Sequence, residues 1–264
     1  MRPASICALA LASLLAGCQT RGNAGDFGDD GDEGDEGSPP DLPQPDCDPR
    51  DDGDGGCPDG TKCGYVEDPE LGPTNRCVAL VGELGLGDAC EELGDSDDCG
   101  SGMICWGTDA DGIGGVCVEF CDEGLLCSEE TARCSVANDG ALPLCLPACD
   151  PFVQDCASGW GCYPDLSDRW VCDRDRSGTL GQHGEPCECL NCCDPGLVCR
   201  PGPMVDAEGC GGEDGADHCC TPICTLDEGQ PVEGVCPSEA ERCERFYPSG
   251  VVVLGLEDLG LCER

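Results

Sequence analysis

Apolar residues form one sustained stretch in this chain, close to its N-terminal end. Ala, Leu and Ile fill most of positions 4 to 16, shortly after Arg2. The stretch has the length of the apolar region of a signal peptide and is too short to span a bilayer. The best candidate elsewhere, Val251 to Leu256, is six residues long. Residues 1–17 are therefore predicted to be a signal peptide that directs export.

The next segment, residues 19 to 46, is almost entirely Gly, Asp, Glu, Pro and other polar residues. It includes GDDGDEGDEG at 28–37 and PPDLPQP at 39–45. Such a composition cannot bury enough apolar surface to fold, and its like charges repel one another. A Gly-rich coil of this length reaches roughly 30 Å on average. Residues 18–46 are thus predicted to be a disordered acidic tether.

Beyond the tether, apolar residues occur in short segments separated by Cys, Gly and Pro. The chain has 41 Gly and 21 Pro, which disfavour long helices and central strands. Only 4% of its residues are aromatic, whereas 30 are Cys. This composition predicts a small disulfide-rich fold: a tandem array of short β-hairpin and loop modules, with little helix and no large hydrophobic core.

The cysteines repeat in blocks of four. Leaving out Cys7 and Cys18, 28 remain, an even number that fits complete oxidation of an exported chain into fourteen bridges. Five blocks share a central spacing of five or six residues, and they define predicted modules at 47–77, 90–117, 121–145, 149–172 and 224–262. The blocks are Cys47, Cys57, Cys63, Cys77; Cys90, Cys99, Cys105, Cys117; Cys121, Cys127, Cys134, Cys145; Cys149, Cys156, Cys162, Cys172; and Cys224, Cys236, Cys243, Cys262.

The central pair of a block often frames a turn, as in Cys57-PDGTK-Cys63, where Gly can supply the positive φ of a tight turn. These neighbours could pair directly, or the first cysteine could pair with the third and the second with the fourth. The alternating arrangement is favoured because it closes larger, interlocked loops. A bridge that closes a loop of about 15 residues contributes roughly 3 kcal/mol to the free energy of unfolding. Units of about 25 residues need such stabilisation to fold.

A further predicted module, residues 187–220, holds eight cysteines. They are Cys187, Cys189, Cys192, Cys193, Cys199, Cys210, Cys219 and Cys220. The vicinal cysteines at 192–193 and at 219–220 are expected to reach separate partners. An alternative use of this region is a zinc or copper(I) site, because thiolates and imidazole are ligands of these metals. The candidate ligands are His183, Cys187, Cys189, Cys192 and Cys193. Structural bridges compete for the same sulfurs and are the favoured interpretation.

Charge limits the classes of partner. The chain has 13 Lys plus Arg against 55 Asp plus Glu, and residues 47–264 alone carry a formal net charge of −35. Such a field repels nucleic acid and anionic lipid surfaces, so an unknown protein or surface partner is expected to be cationic or neutral. The charge also has a simpler use in keeping the protein soluble. The large aromatics Trp106, Trp160, Trp170, Phe246 and Tyr247 are equally compatible with core positions and with exposed contacts.

The sequence offers little material for catalysis. It has two histidines, His183 and His218, and no GxSxG, HExxH, GxGxxG or phosphate-binding loop motif. We therefore predict no enzyme activity, no catalytic residues and no cofactor.

The one ligand that the sequence leaves open besides zinc and copper is weakly bound calcium. Asp173-Arg-Asp175-Arg-Ser177-Gly178 begins like an EF-hand loop, and Asp51, Asp52 and Asp54 lie among glycines. The twelfth loop position, however, is Gly184, so the bidentate glutamate of a high-affinity site is missing.

Three resemblances extend this picture. Leu15-Ala16-Gly17-Cys18 resembles the lipobox of bacterial lipoproteins, which implies cleavage before Cys18 and acylation of that cysteine; Gln19 in place of Asp then implies an outer-membrane location. GEPCECLNCCDPGLVC at 184–199 resembles cysteine-rich segments of the Dickkopf, colipase and knottin type, which implies short disulfide-pinned β-fingers. As a whole, the chain is similar to the cysteine-rich surface lipoproteins of myxobacteria.

Taken together, these features predict a non-enzymatic, lipid-anchored surface protein of the outer membrane, facing the periplasm or the exterior. It would display its modules for protein or cell-surface interaction. The alternative is a metal-handling lipoprotein that binds zinc or copper, or calcium weakly, and free thiols would distinguish it from the first reading.

Overall fold

The computed structural model describes residues 47–51, 55–68, 72–138, 141–211 and 215–264. The predicted signal peptide, Cys18 and the tether lie outside these residues. The described residues, from Cys47 onward, form one compact unit. Its strands are β1 (Thr61–Asp68), β2 (Gly72–Ala79), β3 (Ala89–Cys90), β4 (Glu92–Leu93), β5 (Ser96–Asp97), β6 (Met103–Trp106), β7 (Gly115–Glu119), β8 (Ala132–Ala137), β9 (Leu142–Pro147), β10 (Trp160–Pro164), β11 (Trp170–Arg174), β12 (Leu197–Pro201), β13 (His218–Thr225), β14 (Val232–Glu233), β15 (Arg242–Arg245) and β16 (Leu259–Glu263).

The strands form small antiparallel sheets. Four sheets are two-stranded: β1-β2, β4-β5, β8-β9 and β10-β11. One has three strands in the order β3-β7-β6, and the largest has five in the order β12-β13-β16-β15-β14. Among the described residues helical structure is confined to short 3-10 turns, such as that at Gly202–Met204, and no helix is long and apolar enough to cross a membrane. The predicted class, a disulfide-rich array of small hairpins, is confirmed.

Each four-cysteine module is a hairpin clamped by two crossed disulfides. In the first module, Cys63 on β1 lies opposite Cys77 on β2, yet the two do not bond to each other. Cys63 pairs with Cys47 and Cys77 pairs with Cys57, both in the loop before the hairpin. The loop is thereby fixed at two points across the face of the hairpin.

The other four modules repeat this pairing of first with third and second with fourth cysteine. In each of them, too, the third and fourth cysteines are directly opposed in the hairpin register. The bridges are Cys90–Cys105, Cys99–Cys117, Cys121–Cys134, Cys127–Cys145, Cys149–Cys162, Cys156–Cys172, Cys224–Cys243 and Cys236–Cys262. The alternating arrangement favoured on the sequence is therefore the one present.

The turn before the hairpin contains glycine in three of the five four-cysteine modules. Gly60, Gly102 and Gly159 lie between the second and third cysteines of their modules and have φ values of +80°, +72° and +80°. A side chain is disfavoured in this left-handed region, so glycine permits the reversal that feeds the chain into the first strand.

The eight-cysteine module is paired differently. Its bridges are Cys187–Cys199, Cys189–Cys192, Cys193–Cys220 and Cys210–Cys219, so each vicinal cysteine reaches its own partner, as expected. Strand β13 carries the last two cysteines of this module and also Cys224, the first of the final module. It pairs with β12 on one side and β16 on the other, so the two modules share one sheet.

Sulfur fills the inside of the modules, and apolar side chains lie between them. Buried disulfide sulfurs form the centre of the second module, with Leu84 and Met103 at its edge. One apolar cluster joins the second, third and fourth modules and includes Phe120, Leu144 and Val171. Another joins the fourth, fifth and sixth modules. Burial of these side chains, worth roughly 1.5–3 kcal/mol each, thus holds neighbouring modules together.

Lys62 connects the first module to the second. It is the only lysine in the sequence, and its side chain is fully buried. Its Nζ lies 2.5 Å from Oδ1 of Asp97 and donates to the carbonyl oxygen of Cys99 at 2.8 Å. The cation is therefore matched by a buried carboxylate and by backbone oxygens of the neighbouring module.

We expect Lys62→Met to lower the free energy of unfolding by about 3–5 kcal/mol, because it leaves Asp97 buried without its cation. Chemical denaturation of the oxidised protein measures the change. The control is Arg50→Met, which removes an exposed ion pair with Asp48 and should cost no more than about 1 kcal/mol. Equal effects of the two substitutions would contradict this account of Lys62.

Candidate functional site

A groove opens where the second, third and fourth modules meet. Its volume is about 380 Å³. We call it the inter-module groove and define it by its apolar lining of Leu86, Val116, Val118, Ala132, Pro147, Ala148, Ala157 and Trp160, by the carboxylates of Glu119, Glu129 and Asp155, and by the adjoining cysteines Cys117, Cys145, Cys156 and Cys172.

Strand β7 supplies much of the floor, since residues 116 to 119 all reach the groove. The disulfides Cys99–Cys117, Cys127–Cys145 and Cys156–Cys172 each contribute a cysteine to its lining. Because covalent bridges fix the floor and walls, little ordering is needed when a ligand enters. Pre-formed apolar clefts of this kind are where proteins usually bind ligands or peptide segments.

Trp160 forms one wall and packs against the second module. A Cβ atom at Gly107 would lie only 2.9 Å from Cη2 of the Trp160 ring, and Gly107 has a φ of +78°. Glycine is therefore required at this position both for the backbone and for the close approach of the indole. The contact keeps Trp160 half-buried and at the groove surface.

The polar part of the groove is anionic. Glu129 and Asp155 are exposed, and Glu119 is half-buried. Oε1 of Glu119 accepts a hydrogen bond from the backbone N–H of Ser128 at 2.6 Å, which fixes this carboxylate in place. No lysine or arginine occurs among the described residues that line the groove. An apolar floor with carboxylates around it is complementary to a ligand that is both apolar and positively charged.

The predicted metal ligands are not brought together as free thiols. Cys187, Cys189, Cys192 and Cys193 all belong to disulfides. His183 instead lies beside Glu241, with 3.6 Å between Nε2 and Oε2. Elsewhere, groups of three sulfurs such as those of Cys90, Cys99 and Cys117 lie within 4.8 Å of one another because two bridges stack in each module. Metal binding at any of these groups would first require reduction.

The EF-hand-like aspartates serve a junction between modules. Asp173 Oδ1 accepts hydrogen bonds from Nε1 of Trp106 at 2.9 Å and from the backbone N–H of Arg174, while Oδ2 accepts from Nδ2 of Asn191 at 3.1 Å. Asp175 Oδ1 accepts from the backbone N–H of Ser177 at 2.9 Å. A calcium ion would have to displace these bonds. Of the other suggested ligands, Asp51 is exposed, whereas Asp52 and Asp54 lie outside the described residues.

The five large aromatics divide between junctions and the groove. The ring of Phe246 lies between those of Trp170 and Tyr247, tilted against the first at a centroid distance of 5.3 Å and edge-to-face with the second at 4.8 Å, and Trp170 and Tyr247 are buried. Trp106 is tied to Asp173, and Trp160 lines the groove. These roles could not be separated from the sequence. Glu119, Glu129 and Asp155 were not singled out either, because acidic residues are frequent throughout the chain.

Comparison with protein-family models, with curated proteins and with solved structures yields no match for this chain. Its function is therefore argued from its own residues.

Burial raises the pKa of Asp173 above the usual aspartate value, even though hydrogen bonds from Trp106 and Arg174 act in the opposite direction. A raised folded-state pKa means that the ionised carboxylate disfavours folding, so the stabilising contribution of Asp173 is present in acid and is lost as pH rises through that pKa.

We therefore expect the unfolding free energy of the wild-type protein, measured relative to Asp173→Asn, to decrease as the pH rises above about 4, the ordinary pKa of an aspartate. Chemical denaturation at several pH values provides the measurement, and the comparison cancels the contributions of the other carboxyl groups. A difference that rises with pH over this range would show that the sign is wrong.

Proposed function

We propose that this protein is a non-enzymatic lipoprotein of the outer membrane, acylated at Cys18, which displays its disulfide-braced modules for interaction with another protein. The inter-module groove is the binding site. Its ligand is a segment of a partner protein that carries apolar side chains next to arginine or lysine.

The compartment is supported by the bridges themselves. All 28 cysteines from Cys47 onward are paired, and dense structural disulfides persist in oxidising, extracytoplasmic surroundings. The anchor and the outer-membrane location rest on the N-terminal sequence alone, through Leu15-Ala16-Gly17-Cys18 and Gln19.

The lining of the inter-module groove supports a binding function. Burial of apolar side chains against Val116, Val118 and Trp160 supplies affinity, while Glu119, Glu129 and Asp155 select for positive charge. The overall acidity of the modules adds long-range attraction of a cationic partner and repulsion of anionic ones. Zinc or copper handling, the alternative, needs free thiols, and the cysteines from Cys47 onward are all in disulfides.

The anchor predicts a definite mass. Protein extracted from membranes without reductant should begin at Cys18, carry acyl chains, and lack 28 hydrogens relative to the reduced chain. Intact-mass measurement tests this, and Cys18→Ala is the control, since it should leave the protein without acyl chains. A mature wild-type protein without acyl chains would exclude the lipid anchor.

The groove predicts charge-selective peptide binding. We expect a labelled peptide of alternating leucine and arginine to bind, and the same peptide with glutamate in place of arginine not to bind. Glu129→Lys should weaken binding about fivefold, because an exposed pair contributes up to about 1 kcal/mol. Fluorescence anisotropy at low and high salt measures both effects.

Two further variants locate the binding. Glu239→Lys makes the same charge change at an exposed position of the last module and should alter the affinity much less. Ala157→Trp fills the groove without changing charge and should abolish binding. If Glu239→Lys and Glu129→Lys weaken binding equally, and Ala157→Trp has no effect, the acidic surface as a whole binds the peptide and the groove does not.

A further inference from the structure

The bridge Cys189–Cys192 differs from the other thirteen disulfides in three ways. It is the one bridge in the described chain in which neither cysteine is buried. It is also the one in which neither cysteine lies in a β-strand. Its cysteines are only three positions apart in sequence, whereas the next shortest bridge, Cys210–Cys219, has a separation of nine.

These differences bear on chemical reactivity. A disulfide is opened by a thiolate that approaches one sulfur along the sulfur–sulfur axis, so access to the sulfur controls the rate. In each of the other bridges at least one of the two cysteines is buried, and at least one lies in a β-strand. Opening Cys189–Cys192 releases only a four-residue loop and leaves every hairpin clamped. The Cys-x-x-Cys spacing is also that of redox-active motifs.

We infer that Cys189–Cys192 is a thiol–disulfide exchange site of this protein, and that its substrate is a dithiol. A thiolate of the dithiol attacks one of the two sulfurs, a mixed disulfide forms, and the other cysteine leaves as a thiolate and takes up a proton. The second thiol of the dithiol then loses its proton and attacks the dithiol's own sulfur in the mixed disulfide. The bond to the protein breaks, and the second protein cysteine leaves as a thiolate and takes up a proton. Two electrons pass to the protein, which gains two thiols, while the dithiol becomes a disulfide.

The charge around the bridge limits the choice of dithiol. Glu188 is exposed and adjacent to Cys189, and Asp194 follows the Cys192-Cys193 pair. The surrounding modules carry a formal net charge of −35. An anionic reductant is repelled by this field, so the site favours a dithiol whose other groups are neutral or cationic.

The loop that the bridge closes also makes a contact between modules. Asn191 lies inside it and is buried, with Nδ2 donating to Oδ2 of Asp173 at 3.1 Å and to the carbonyl oxygen of Arg174 at 2.9 Å. The backbone N–H of Arg176 donates to the carbonyl oxygen of Asn191 at 3.0 Å. Reduction therefore loosens the attachment of the fifth module to the fourth.

Stepwise reduction tests the inference. The oxidised protein is treated with increasing dithiothreitol in native buffer, thiols are trapped by alkylation, and the modified cysteines are identified by mass spectrometry. The first stable product should carry two alkyl groups, at Cys189 and Cys192, with the other thirteen bridges intact. Amide hydrogen exchange at Arg176 should be faster in this product than in the oxidised protein.

Two controls make the result specific. The Cys189→Ala/Cys192→Ala variant should lose the early step, whereas Cys210→Ala/Cys219→Ala, which removes a buried bridge, should retain it. Reduction by dihydrolipoate, an anionic dithiol, should accelerate more with added salt than reduction by dithiothreitol does. Initial alkylation at other cysteines, or simultaneous opening of many bridges, would overturn the inference. An unchanged Arg176 amide would overturn the coupling to the fourth module.

Discussion

Two crossed disulfides hold a loop against one face of a hairpin in every four-cysteine module. The third and fourth cysteines lie opposite each other on neighbouring strands, as Cys105 and Cys117 do, so their side chains leave the same face of the sheet. Each is bonded to a cysteine of the segment that precedes the hairpin and not to its neighbour across the hairpin. Each of these bridges contributes roughly 3 kcal/mol by restricting the unfolded chain. Without them, a hairpin of this size is at best marginally stable in water.

Because disulfides stabilise each module from inside, the few large apolar side chains pack between modules. Ile104, Leu144 and Val171 come from three different modules and pack into one cluster, and Trp170 with Tyr247 belongs to a second. Lys62 adds a buried ion pair at the first junction. The inter-module groove lies where three of these modules meet, and apolar contacts hold the modules together there. Its carboxylates reflect the acidic composition of the whole chain.

The spacing of the cysteines carried most of the information about the fold. It predicted the hairpins, the turns at Gly60, Gly102 and Gly159, and separate partners for the vicinal cysteines, because these are local properties of short segments. The relation between modules was not predictable in this way. Nothing near Lys62 in the sequence indicates that its partner is Asp97, 35 residues away. The local sequence around Asp173 resembled a calcium loop, whereas the actual partners of Asp173, Trp106 and Asn191, lie in distant parts of the chain. The groove depends on such contacts and was missed for the same reason.

If the crossed bridges define the modules, disulfide mapping of the native protein should show their pairing. Digestion of the non-reduced protein in acid, where thiolate exchange is suppressed, followed by mass spectrometry of the linked peptides, assigns each pair. We expect the first cysteine to be linked to the third and the second to the fourth in all five four-cysteine modules, with no free thiol from Cys47 onward. Bridges between the opposed cysteines, such as Cys105–Cys117, or between the central pairs, such as Cys57–Cys63, would contradict it.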